Sequence, residues 1–218
     1  MDNKSDDPLV PQVISGFERR GMFAAVERCT VNSPDNITDV IKRYSNTTSE
    51  YLDYIESDVV VFDTVPCWLT QMIELMDADP NLGLLGSYID TRDFIDPAFA
   101  RQIEPERDPS TLNGLIKAES PERHLPATPP AALSIDPFNP PGRLQMIRKS
   151  VLELATSGTD WEIYKRLKAA GISAAIATQV RHRHLSLLNF FDYPNYDIVA
   201  RDAYCAAADA VRRHYGEP

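Results

Sequence analysis

Glu56 and Asp58 interrupt the stretch from Tyr51 to Phe62, which otherwise reads as a buried strand. Residues two apart on a strand share a face, so the spacing turns both carboxylates the same way. Two carboxylates converging at a strand end make a poor core and a good seat for a hard cation such as Mg²⁺ or Mn²⁺. Such ions take one or two carboxylates and complete their shell with phosphate oxygens and water, so a phosphorylated ligand is expected. An edge strand with one wet face is the plainer alternative. Far downstream, Arg181-His182-Arg183-His184 follows a strand expected at Ile172 to Val180. Alternate residues of an extended piece share a face, so both imidazoles can point into one site and one can complete a metal shell. Arg181 and Arg183 can face a pyrophosphate. The competing reading is a solvated loop that carries two histidines. A third cluster, Thr159-Asp160-Trp161-Glu162, matches a capping box in Thr159 and Glu162, and acids at a helix N-terminus gain from the dipole. Asp160 is less needed for capping and can serve as a general base toward a sugar hydroxyl.

The elements that must position these groups follow from hydrophobic periodicity. Residues 1–12 read as a disordered start, and Val13 to Arg28 as weakly helical, up to a turn at Asn32-Ser33-Pro34-Asp35. Ile37, Val40, Ile41 and Tyr44 recur at helical spacing. After the acidic strand, Thr64 is placed to cap a helix with Pro66 in its first turn and Trp68, Leu69, Met72, Ile73 and Met76 on one face. Asp79-Pro80-Asn81 ends it, and Leu82 to Ile89 is a strand whose glycines admit another backbone. Strand, helix, strand in this length predicts a βαβ unit with a parallel pair. Residues 91–141 hold ten of the seventeen prolines and read as a long insertion with a short helix near 110–117. Regular structure resumes at Arg143 to Ile147, with a helical Lys149 to Ala155. A helix at Thr159 to Ala170 turns Trp161, Ile163, Tyr164 and Leu167 inward and is closed by Gly171. The aromatic group Phe190, Phe191, Tyr193 and Tyr196 fits packing or stacking on a sugar or base, and an alanine-rich helix runs from 194 to 215.

Bulk properties exclude several partners. The chain has 218 residues and reads as a single domain. A net charge of −10 argues against nucleic acid, which needs a basic face, and against general adhesion to anionic lipid. Cys29, Cys67 and Cys205 are odd in number, widely spaced and read as free thiols. The polar N-terminus has no signal-like h-region and no apolar run is long enough to span a bilayer, so a cytoplasmic location is expected. The sequons at Asn36 and Asn46 then carry no glycan.

Taken in order, these pieces resemble the inverting family 2 glycosyltransferases of the GT-A fold, over roughly Tyr51 to Tyr204. The stretch Tyr51 to Asp58 followed by Pro66-Cys67-Trp68-Leu69 is similar to the D-x-D strand end and the helix after it. Leu82-Gly83-Leu84-Leu85-Gly86 and Leu144 to Val151 resemble the next strand and the approach to the acceptor site, and Asp160-Trp161-Glu162 through Gly171 resembles the acidic motif. The resemblance implies an α/β, mostly parallel GT-A-like sheet flanked by helices. It implies a nucleotide-sugar donor, a glycan, lipid-linked or protein acceptor, and Mn²⁺ or Mg²⁺. Asp58 would touch the metal, Glu56 would stand at the first acid of D-x-D, His184 or His182 would be a metal ligand, and Asp160 the base. Family members open with a nucleotide-binding strand, turn and second strand, whereas about fifty residues without such a strand precede Glu56 here. A degenerate domain that binds a glycan or protein partner without catalysis is the second reading. A hydrolase built on His182, His184 and an acid is the third.

Overall fold

The computed structural model describes residues 1–33, 35–46, 49–57, 59–90, 126–134, 143–155 and 160–184. Asp58, Thr159, the expected helices at 110–117 and 194–215, and the aromatic group at 190–196 lie outside the described residues, and His184 is described only as a strand position. The chain is α/β. Six strands form one sheet: β1 (Tyr51–Ile55), β2 (Val59–Val61), β3 (Leu82–Ile89), β4 (Ala132–Leu133), β5 (Leu144–Arg148) and β6 (Ser173–His184). Their order is β1-β5-β3-β6-β2, with β4 also on β6.

The sheet is mixed, which corrects the expectation of a mostly parallel one. Among the described strands of the sheet, only β3 and β6 pair in parallel. β1 with β5, β3 with β5, β2 with β6 and β4 with β6 are antiparallel. β1 and β3 do run the same way across their connecting helix, but β5 lies between them, so the expected parallel pair is not an adjacent one. The physical reason is that β5 is buried along Leu144 to Ile147. A strand apolar on both faces fits the middle of a sheet in either direction, and periodicity cannot say which.

The expected single strand from 51 to 62 is two strands. β1 stops at Ile55, where the Glu56 amide donates to Arg143 O at 2.8 Å, and the Val59 amide donates back to Glu56 O at 3.3 Å. β2 then joins the opposite end of the strand order. Five strands laid flat would hold those two edges roughly 19 Å apart. Four residue steps reach at most about 14 Å. The sheet therefore curls, barrel-like, until its edges meet at the turn that carries the acids.

Helices cover both sides. Met72 and Met76 of α3 (Trp68–Ala78) pack on Leu85, Leu144, Met146, Ala175, Ala177 and Val180. On the other side, Ile41 of α2 (Asp35–Tyr44), Leu152 and Ala155 of α4 (Leu152–Ala155), and Tyr164 and Leu167 of α5 (Asp160–Ala169) meet Leu84, Ile147 and Ala174. Each such fully buried side chain is worth about 1.5–3 kcal/mol. Gly83 permits the closest approach, since a Cβ there would lie 2.4 Å from Ile172 Cγ2 and 3.2 Å from Val151 Cγ2. The neighbours it admits are side chains rather than backbone. Arg148 fixes the end of α3 by donating to Met76 O, Asp79 O and Leu82 O at 2.5, 3.2 and 3.1 Å.

Four local expectations are also corrected. The start of the chain is built rather than disordered: Asp2 bridges to Arg28, and α1 runs from Leu9 to Arg19, earlier than the pattern from Val13 predicts. The Asp7 carboxylate accepts from the Leu9 amide at 2.8 Å, which sets that early start. Thr64 does not cap α3. Its hydroxyl donates to Pro66 O and accepts from Gln71 Nε2, bracing the entry turn, while Cys67 is the N-cap residue. Trp161 is not inward: it is 41% exposed, lies against the Tyr164 ring and carries Lys165 over its face. Part of the proline-rich 91–141 segment enters the sheet, because β4 pairs Ala132 with Ala177 and Leu133 with Ile176.

Candidate functional site at the carboxyl end of β6

β6 carries the histidines inside the strand, not in a loop beyond it. Its first half is small and apolar and lies between β3 and β4. The register against β3 then shifts, from Ser87 opposite Ala177 to Tyr88 opposite Arg181. Thr178 anchors the irregular stretch: its amide donates to Ala131 O at 3.0 Å and its hydroxyl to Pro130 O at 2.7 Å. The second half pairs with β2, with Val59 opposite His184, Val60 opposite Arg183 and Val61 opposite His182. The Phe62 amide continues this pairing by donating to Arg181 O at 3.1 Å.

This pairing brings together two motifs more than a hundred residues apart in sequence. The turn after Glu56 delivers the chain to Val59, whose partner is His184. Glu56 itself is half-buried at the end of β1, and Asp58 lies outside the described residues. Residues 181–183 do not present one surface. His182 is fully buried on the α3 side of the sheet, with Nδ1 2.6 Å from the buried Ser87 Oγ. Ser87 also donates to Leu144 O at 3.3 Å. The hydroxyl has one hydrogen, and a carbonyl can only accept. Serving Leu144 O leaves the Ser87 lone pair to take an N–H from His182 Nδ1. His182 thus belongs to the packed face, with Nδ1 engaged by Ser87. Arg181 points to the opposite face, exposed, with its guanidinium 5.2 Å from the Tyr88 ring centroid, and half-buried Arg183 follows the same alternation. The arginines and His182 therefore do not share a site wall.

Asp160 opens α5 on the far side of the sheet from His182. Its Oδ1 accepts from the Trp161 amide at 2.8 Å, which satisfies one of the orphan donors of the helix end. Among the described residues no group of three or more His, Cys, Asp or Glu could hold a metal ion. Asp58 and the His184 side chain are not among those residues.

Ser87 and Asp90 were not among the residues expected from sequence. Ser87 is the one aliphatic hydroxyl between Leu82 and Ile89, and that small polar group in an otherwise apolar strand was the available signal. Asp90 is buried, and its amide donates to His182 O at 2.9 Å. Asp53 is another polar residue set against the apolar face. It sits opposite Met146, and burial lifts its pKa from 3.8 to about 6. No helix among the described residues is long and apolar enough to cross a membrane. No protein-family model matches the chain, and no curated protein matches it.

Proposed function

We propose that this chain is a GT-A-like, metal-assisted glycosyltransferase domain that moves a sugar from a nucleoside-diphosphate sugar to a hydroxyl acceptor with inversion. The observation that carries the reading is the β2–β6 pairing, which seats His184 opposite Val59, one residue after Asp58. A carboxylate oxygen and an imidazole nitrogen are a donor set suited to Mn²⁺. Asp58 and His184 would hold the ion, and Glu56 would stand beside them. When bound, the cation offsets the charge that develops on the departing diphosphate. The residues of the chain do the rest. Arg181, exposed at the rim, supplies a cation for the donor phosphates, and Arg183 adds a second. Asp160 would take the proton of the acceptor hydroxyl as that oxygen attacks the anomeric carbon and the bond to the diphosphate breaks, a role that requires the acceptor to lie on the face of the sheet opposite His182.

One observation favours a binding-only domain instead. Asp160 already serves the helix end through Trp161, which is a sufficient structural role. The two readings separate in one experiment. Thermal melting is followed with Mn²⁺ and UDP or GDP, where a hundredfold excess over the dissociation constant stabilises by about 2.7 kcal/mol. The transferase reading expects a shift that Asp58→Ala and His184→Ala each remove and Asp160→Asn keeps, while Asp160→Asn abolishes sugar transfer. A flat response across the nucleotide panel rejects it, and a loss of stability alone in Asp160→Ala assigns that residue to capping.

A further inference from the structure

We infer that α1 and the turn after it form a docking surface for an anionic lipid bilayer. Among the described residues, seven of the twelve exposed large hydrophobics fall within the first 31 positions. Leu9, Val10, Val13, Ile14 and Phe17 recur at three- and four-residue spacing, so they line one side of α1, and Pro11, Gln12, Ser15, Glu18 and Arg19 line the other. The helix has no buried residue. Met22 and Phe23 extend the apolar side, with Phe23 in edge contact with Phe17 at 5.8 Å between centroids. Leu9, Val13, Phe17, Met22 and Phe23 are between 37% and 62% exposed.

Charge selects the occupant. At the Arg19–Arg20 end of the helix the acids are paired, Glu18 with Arg28 at 2.9 Å and Glu27 with Arg43 at 2.5 Å, while Asp6 and Asp7 precede Leu9 at the opposite end of α1. Tyr44 and Arg43 hold the Glu27 carboxyl below its ordinary pKa, so it stays ionised within that pairing. Arg19 and Arg20, both exposed, are left at the tip next to Phe17, Met22 and Phe23. Apolar side chains flanked by arginines suit the boundary between headgroups and acyl chains. The net charge of −10 does not oppose this locally, because residues 1–33 hold five of the 32 acids and four of the 22 bases. They contribute 4 − 5 = −1, and the remaining −9 lies farther along the chain. Repulsion from charges beyond roughly 10 Å is screened at physiological salt. A second copy of the chain is a weaker fit: five part-exposed side chains fall short of the roughly 800 Å² per partner that a stable dimer buries.

The test uses the full chain and needs no sugar donor, so its outcome is independent of the transferase reading. The protein is sedimented with vesicles of phosphatidylcholine alone or mixed with phosphatidylglycerol. It is expected to partition onto the mixed vesicles and to be released as salt rises. Arg19→Glu with Arg20→Glu should lower the partition at least about tenfold. Val13→Glu with Phe17→Glu should abolish it, with the melting temperature unchanged because neither side chain is buried. Val65→Glu, at a fully exposed apolar site elsewhere, should leave it intact. Absence of binding to mixed vesicles, or binding that survives the paired glutamates, overturns the inference. So does light scattering that finds a dimer which those glutamates dissolve.

Discussion

The two halves of β6 share one backbone and serve opposite ends. Ala174, Ala175, Ile176 and Ala177 are buried, flanked by β3 on one edge and β4 on the other, and do nothing but pack. Arg181 to His184 alternates cations with imidazoles and meets only the last residues of β3 and the short β2. Between them the register slips. The slip ends the tight β3–β6 packing and leaves room for β2 to bring in the chain that carries Glu56. A strand can thus spend its rigid half on stability and lend that rigidity to a polar half that core packing alone would not tolerate.

Substitutions can break this contrast at graded strengths. The largest effect is expected in the first half. Ile176→Ala should cost about 2–5 kcal/mol in urea unfolding, because the residue is 2% exposed and its neighbours cannot close the hole. A cost below about 1 kcal/mol would mean that this half is not the anchor. Next comes the paired test in the second half. His182→Ala should cost about 1–3 kcal/mol by removing the N–H that Ser87 accepts and leaving a hole at a fully buried position. His184→Ala should leave the unfolding midpoint within about 0.5 kcal/mol and remove only the response to Mn²⁺ with nucleotide. Equal destabilisation by both would remove the contrast between the packed His182 and the proposed role of His184.

The smallest effect sharpens the contrast between polar groups set near the apolar face. His182 has Ser87, whereas the pKa of Asp53 is raised to about 6 by burial alone. The raised value means that the folded state binds more protons than the unfolded chain between pH 4 and 6. Stability therefore falls as pH rises through that window. Asp53→Asn should flatten this slope and raise the melting temperature slightly at pH 7. The change is small because Asp53 is partly open to solvent. An unchanged pH profile in the variant would remove Asp53 from the account.

Much of the local structure was legible. The helices at 35–44 and 68–78 and the strand at 82–89 follow from apolar spacing and from the Asp79-Pro80-Asn81 stop, and each forms close to where its pattern predicts. The site was legible as motifs only. The His-x-His alternation predicts a shared face for the two imidazoles, yet nothing in the local pattern marks His182 as interior. That depends on Ser87, 95 positions away.

The amino-acid order alone determined which segments are helix and strand, because backbone preference and the period of apolar residues act over a few positions. It also determined the chemistry on offer: carboxylates near 56–58, imidazoles and guanidiniums at 181–184, and an acid at the head of a helix. Tertiary structure decided strand order and direction, the insertion of β5 between β1 and β3, and the splitting of 51–62 across the two edges of the sheet. Those choices follow from where buried area is gained when distant strands meet. That gain belongs to pairs of segments, and no single stretch of sequence contains it.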